Sequence, residues 1–307
     1  VLDPQARAFL DMVAGAPPLD TQTPGANRVD LAGAIALTGP TAPVHAVEET
    51  TLTDGSVPPV AVRVIRPRPG DDLPVVVYLH GGGWVLGGPD LADTTTRDMA
   101  VAADAVVVNV DYRLAPEHRF PAAYDDALAV TRAVLDGGLP GVDPSRLGVV
   151  GSSAGGNLAA GVAREFRNEP GLRHQVLIYP VTQARVGTTA SYAEYGAGHF
   201  LTARDMQYFF DCYAPGVDPD DPRLAPLADP DLAGLAPATV ITGECDPLRD
   251  EAEAYASAMA AAGVEVTARR FDGQVHPFVY VAGVIDDGHV ARALVAEQLR
   301  RAFALAA

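Results

Sequence analysis

Short, wholly apolar runs rich in β-branched residues recur along the chain, separated by stretches with helical spacing. PVVVYL at 74–79 and AVVVNV at 105–110 show no alternation of polar and apolar residues. That is the pattern of strands buried on both faces. Residues 147–150, 176–179 and 238–242 are of the same kind, and 60–65 and 264–271 read as further strands. Helical patterns fill 3–15, 90–103, 122–135, 157–166, 250–262 and 289–305. Strands alternating with helices call for a mainly parallel sheet covered on both faces, so the expected class is α/β.

Two segments break this rhythm. The first 45 residues hold one amphipathic helix and then a Pro/Gly/Thr-rich loop. Residues 182–230 are rich in aromatics (Tyr192, Tyr195, Phe200, Tyr208, Phe209, Phe210, Tyr213) and then in Asp and Pro. An aromatic insertion between core strands predicts a cap that also lines a pocket. A helical excursion with a small core of its own predicts the same residues.

Between the 147–150 strand and the next helix stands Gly151-Ser152-Ser153-Ala154-Gly155. Glycine is a poor helix former, so its repetition here signals a sharp bend or a close approach. The segment matches G-x-S-x-G, the turn that lifts a serine above the carboxyl end of a sheet. Ser153 has glycines at the required offsets; Ser152 does not. The helix N-terminus beneath it brings unpaired N–H groups and a positive dipole end.

A serine hydroxyl needs a base to become a nucleophile. Of the histidines after Ser153, His199 lies in the insertion and His289 at the last helix. His276 follows a strand and is the expected base. The acid should follow the 238–242 strand, where GECDPLRD occurs. Asp246 is expected there, ahead of Glu244 and of Asp250, which suits the first turn of a helix. His80-Gly81-Gly82-Gly83-Trp84 closes the 74–79 strand, and consecutive glycines expose backbone donors to a substrate oxygen. Gly81, Gly82 and Ala154 are the expected oxyanion donors, with His80 holding the loop. Trp84, Ser152, Tyr195, Phe200 and Phe209 are candidate pocket residues, though Trp84 suits core packing equally well.

The blocks HGGGW (80–84), DYRLAPEHRFPAAYDDA (111–127), GSSAGG (151–156), DPLRDE (246–251) and HPF (276–278) together resemble the hormone-sensitive-lipase-like (bacterial family IV) carboxylesterases of the α/β-hydrolase superfamily. The resemblance implies an α/β-hydrolase fold: an eight-stranded, mostly parallel sheet with helices on both faces and a helical cap. It implies a core over 46–181 and 231–307, with 1–45 and 182–230 as the cap. It also implies a Ser153/Asp246/His276 triad that hydrolyses short-acyl esters. Ser152 departs from the Asp or Thr usual in that family, and Pro277 from the usual Gly. An amide or lactone hydrolase with the same triad, or a non-catalytic binding protein on this fold, would carry the same scaffold; the complete triad speaks against the second.

Composition narrows the partners. With 22 cationic and 39 acidic side chains the formal charge is −17, which argues against nucleic acid. Cys212 and Cys245 form no CxxC, and no metal site or cofactor is expected. No apolar run is long enough for a membrane span, and no signal peptide is visible, so a cytoplasmic location is expected. The 264–271 strand is a candidate for edge pairing in a homodimer.

Overall fold

The computed structural model describes residues 1–304. Eight strands form one sheet: β1 (Ala46–Leu52), β2 (Val60–Arg66), β3 (Leu73–Leu79), β4 (Val106–Val110), β5 (Val142–Ser152), β6 (Leu172–Ile178), β7 (Ala238–Cys245) and β8 (Val266–Val275). Their order is β1-β2-β4-β3-β5-β6-β7-β8; β2 runs antiparallel to both of its neighbours, β1 and β4, and every other pairing is parallel. The α/β expectation therefore holds, with one strand unforeseen. β1 reads AVEETTL and is mostly exposed. It is a polar edge strand, recognisable only by the partner it lies against.

The centre is built as the apolar runs require. Along β3, Val75, Val77 and Leu79 enter one core while Val76 and Tyr78 enter the other. Alternate side chains point to opposite faces, so a strand buried on both needs no polar position. Each such Val contributes roughly 1.5–3 kcal/mol by leaving water.

Helices α1 (Pro4–Val13), α2 (Pro24–Ala32), α3 (Pro89–Ala103), α4 (Ala122–Leu135), α5 (Ala154–Glu165), α6 (Ala190–Tyr195), α7 (Ala203–Tyr213), α8 (Arg249–Ala261) and α9 (Asp287–Ala304) complete the chain. The expected end of the last helix, Leu305, lies outside the described residues. α2 sits in what reads as a loop: Thr23 caps it by accepting from Ala26 N–H, and Pro24 opens it. None of the described helices is long and apolar enough to cross a membrane.

The two segments outside the rhythm meet each other. Asn27 of α2 donates to the Tyr208 hydroxyl of α7 at 3.2 Å, Arg204 pairs with Asp20 at 2.8 Å, and the Phe9 and Phe200 rings lie 5.3 Å apart. Arg28 of α2 also donates to the Val85 carbonyl at 2.8 Å, tying the N-terminal segment to the loop after β3.

Candidate active site

Because β3 and β5 are neighbours, with Leu79 opposite Gly151, the glycine loop and the serine turn emerge side by side. Ser153 has φ +56° and ψ −120°, a conformation strained for any residue with a Cβ. The glycines around it are obligatory. A Cβ on Gly151 would lie 1.9 Å from the Gly155 carbonyl oxygen, and one on Gly155 would lie 2.0 Å from that of Leu79. α5 begins at Ala154, earlier than its sequence predicts, because strand and helix pack closely enough to make glycine necessary in the first turn.

Asp246, just past β7, is buried; its Oδ1 accepts from Leu248 N–H at 2.9 Å and its Oδ2 lies 2.8 Å from His276 Nδ1. A carboxylate can only accept, so Nδ1 carries the proton and Nε2 of the neutral ring is left with a lone pair. Tyr179, at the end of β6, packs its ring 4.3 Å from that of His276. No hydrogen bond joins Ser153 Oγ to His276 among the described residues; such contacts often tighten only with substrate bound. The rival groups are engaged elsewhere. Glu244 accepts from Gly273 N–H at 2.6 Å, Asp250 accepts from Ser191 N–H at 2.8 Å, and half-buried His199 contacts the Ala197 carbonyl.

The backbone donors are held from behind. In a trans peptide the N–H points opposite the C=O, so fixing one end aims the other. The Gly81 carbonyl accepts from His80 Nδ1 at 2.8 Å, which aims Gly82 N–H. The Gly82 carbonyl accepts from Val85 and Leu86 N–H at 3.1 and 2.8 Å, which aims Gly83 N–H. The Ser153 carbonyl accepts from Asn157 and Val181 N–H at 3.0 and 3.3 Å, which aims Ala154 N–H. Gly82 and Gly83 N–H have no acceptor among the described residues.

Gly81 differs. Its N–H donates to the Tyr280 hydroxyl at 3.0 Å, so it is already occupied. That occupancy removes Gly81 from the expected donor set of Gly81, Gly82 and Ala154, and brings in Gly83, whose N–H is unoccupied among the described residues, as the candidate in its place. Spacing alone does not reveal which of three glycines turns its N–H away.

His80 is a loop-holding residue. Its ring is buried, stacked 4.1 Å from Tyr112, and burial pushes its pKa down to about 4, which keeps it neutral.

Two pocket expectations also change. Trp84 is fully buried and stacks on Tyr213 of α7 at 4.6 Å, so it is core. Ser152 is buried with its Oγ 3.0 Å from the Tyr280 hydroxyl. Phe209 lies directly on the donor loop: a Cβ on Gly83 would come within 2.2 Å of its ring. Tyr195 is buried under the Arg249 guanidinium, 5.3 Å away, and Phe200 is 41% exposed at the rim beside α1.

Sequence reasoning left out Glu251. Its carboxylate is buried and accepts from Thr182 N–H at 2.8 Å and Gln183 N–H at 3.2 Å, tying the start of the insertion to α8. Burial pushes its pKa up to about 8.

Comparison with known proteins shows the family and the fold. Residues 76–280 match the family described as having the alpha/beta hydrolase fold. The chain is 42% identical over 247 residues to the carboxylesterase NlhH of Mycobacterium tuberculosis, spanning 78% of this chain and 77% of that protein. It is 39% identical over 260 residues to the ethyl acetate hydrolase of Pseudomonas putida, spanning 82% and 80%. Among solved structures, it is similar to the ester hydrolase EH1AB1 from the metagenome of Lake Arreo, with a TM-score of 0.93, 35% identity and 99% of each chain covered.

Proposed function

The chain belongs to the hormone-sensitive-lipase-like carboxylic ester hydrolases of the α/β-hydrolase family, and on that premise we propose that Ser153, His276 and Asp246 hydrolyse short-acyl esters through an acyl-enzyme. Ser153 Oγ attacks the ester carbonyl while His276 Nε2 takes its proton. Gly82, Gly83 and Ala154 N–H receive the oxyanion, each such donor contributing about 10²–10³ in kcat. His276 then protonates the departing alcohol and activates the water that releases the acid. Asp246 keeps the imidazole in the tautomer this requires.

The observation that carries the reading is the 2.8 Å bond between Asp246 and His276 on the sheet edge where Ser153 adopts its strained turn. The cap belongs to the same reading: residues 1–45 and 182–230 cover the site, and Phe209 bounds the substrate next to Gly83. The named acetate ester of the Pseudomonas putida relative supports the short acyl group.

A chain-length series of p-nitrophenyl esters tests this with the intact protein and Ser153→Ala. Short acyl esters should turn over fastest, and the variant should lose a factor on the order of 10⁴–10⁶ in kcat. Turnover that survives the substitution would overturn the nucleophile assignment.

A further inference from the structure

One hydroxyl touches three separate parts of this site. Tyr280 Oη lies 3.0 Å from Gly81 N, 3.0 Å from Ser152 Oγ and 3.1 Å from the buried Tyr78 Oη. Gly81 belongs to the oxyanion loop, Ser152 to the turn that carries Ser153, and Tyr280 to the segment that carries His276. A phenol has one hydrogen and two lone pairs, so three partners satisfy it fully.

We infer that Tyr280 is a positioning residue, whose hydroxyl sets the oxyanion loop in register with the nucleophile turn and the base. The inference rests on the triad reading above.

The reasoning begins with the His80–Gly81 peptide, which immediately precedes the donor peptides. It is held at both ends: Tyr112 donates to the His80 carbonyl at 2.7 Å, and Tyr280 accepts from Gly81 N–H. Rotating it would carry Gly81, and with it Gly82 N–H, out of position. Gly81 has little room of its own, since even a Cβ there would stand 3.1 Å from Ser152 Oγ. The loop is seated on Ser152, and Tyr280 bridges the two.

The phenol is itself placed by its backbone. Tyr280 N–H donates to the Pro277 carbonyl at 2.8 Å. Buried Arg292 donates to the carbonyls of Val279 and Tyr280, and its other nitrogen pairs with Asp98 at 2.8 Å. The hydroxyl is therefore a fixed point against which the loop is set. Ser152 fits this role as well, since its Oγ on the nucleophile turn lies 3.0 Å from the Tyr280 hydroxyl.

Tyr280→Phe keeps the ring and removes only the bridge. The experiment measures kcat and KM for p-nitrophenyl acetate, with kcat taken per active site titrated by a phosphonate ester. The expected result is a fall in kcat of about tenfold to a hundredfold with KM within about twofold, as displaced catalytic groups produce. Ser152→Ala should lose less, and Ser152→Thr, which restores a hydroxyl, should recover most of that loss. A folded Tyr280→Phe with unchanged kcat per titrated site overturns the inference. If Tyr280→Phe does not fold, Ser152→Ala decides, and an unchanged kcat there is equally fatal. Absence of ester hydrolysis or phosphonate labelling in the wild type would instead sink the triad reading on which the inference stands.

Discussion

The glycines of the sheet's carboxyl edge and three of the four in the insertion do different work. At the edge, a Cβ on Gly82, Gly151 or Gly155 would stand 2.2, 1.9 or 2.0 Å from a backbone oxygen. In the insertion only Gly196 is so confined, 2.4 Å from the Tyr192 carbonyl oxygen; a Cβ on Gly187, Gly198 or Gly216 meets nothing within 4 Å. Backbone packed on backbone cannot yield, whereas the insertion is held through side chains such as Tyr208, Phe209 and Arg204. One region is built so that the donor N–H groups cannot wander. The other meets that edge through side chains, Phe209 over Gly83 and Tyr213 on Trp84.

Substituting one glycine from each region puts the contrast to its severest test. Gly155→Ala should cost more than about 3 kcal/mol of stability, because no side chain can move aside to relieve the overlap. Gly216→Ala has open space, and the left-handed backbone at φ +74° should cost only about 1 kcal/mol. Urea unfolding of the two variants measures both, and equal losses would remove the distinction.

Phe209→Ala should alter selectivity more than chemistry. With the ring over Gly83 gone, kcat for the acetate ester should stay within a few-fold while longer acyl chains gain relative kcat/KM, by about 10-fold for one or two added methylenes. A uniform loss across the series would place Phe209 with the rigid edge instead.

The smallest effect concerns Glu251, which joins the two regions. Its folded pKa of about 8 stands above the ordinary 4.5. Between those values the native state binds more protons than the unfolded state, so this group's contribution to stability falls as pH rises through that window and levels off above it. Glu251→Gln removes the dependence. Wild-type melting temperature should therefore drop more between pH 5 and pH 9 than that of the variant.

The same contrast explains what could be read from the sequence. The glycine blocks and apolar strands were legible because steric necessity leaves few residue types to choose from. Asp246 and His276 were paired by chain order, and the structure puts them in hydrogen-bond contact. The missed features depend on tertiary contact. β1 is polar and becomes a strand only beside β2. Sequence does not distinguish Gly83 from Gly81; the Tyr280 hydroxyl, which occupies the Gly81 N–H, does. No local signal marks Tyr280, four positions after His276, as the partner of a loop far earlier in the chain. Trp84 looked like a pocket wall because aromatic residues suit pockets and cores equally well.

The hydrogen bonds of the Tyr280 hydroxyl to Gly81 and Tyr78 span 199 and 202 residues of chain. Contacts of such long sequence separation carry a large loop-closure entropy and form slowly during folding. Were β3 and β5 to pair before β8 arrives, the proposed oxyanion loop would lack Tyr280 to hold it, and the proposed base, His276, would be missing as well. On the proposed triad and Tyr280 readings, activity in a refolding chain should therefore recover late, once β8 has joined the sheet. Partly folded chains carrying an exposed serine turn would remain inert toward the esters of their surroundings.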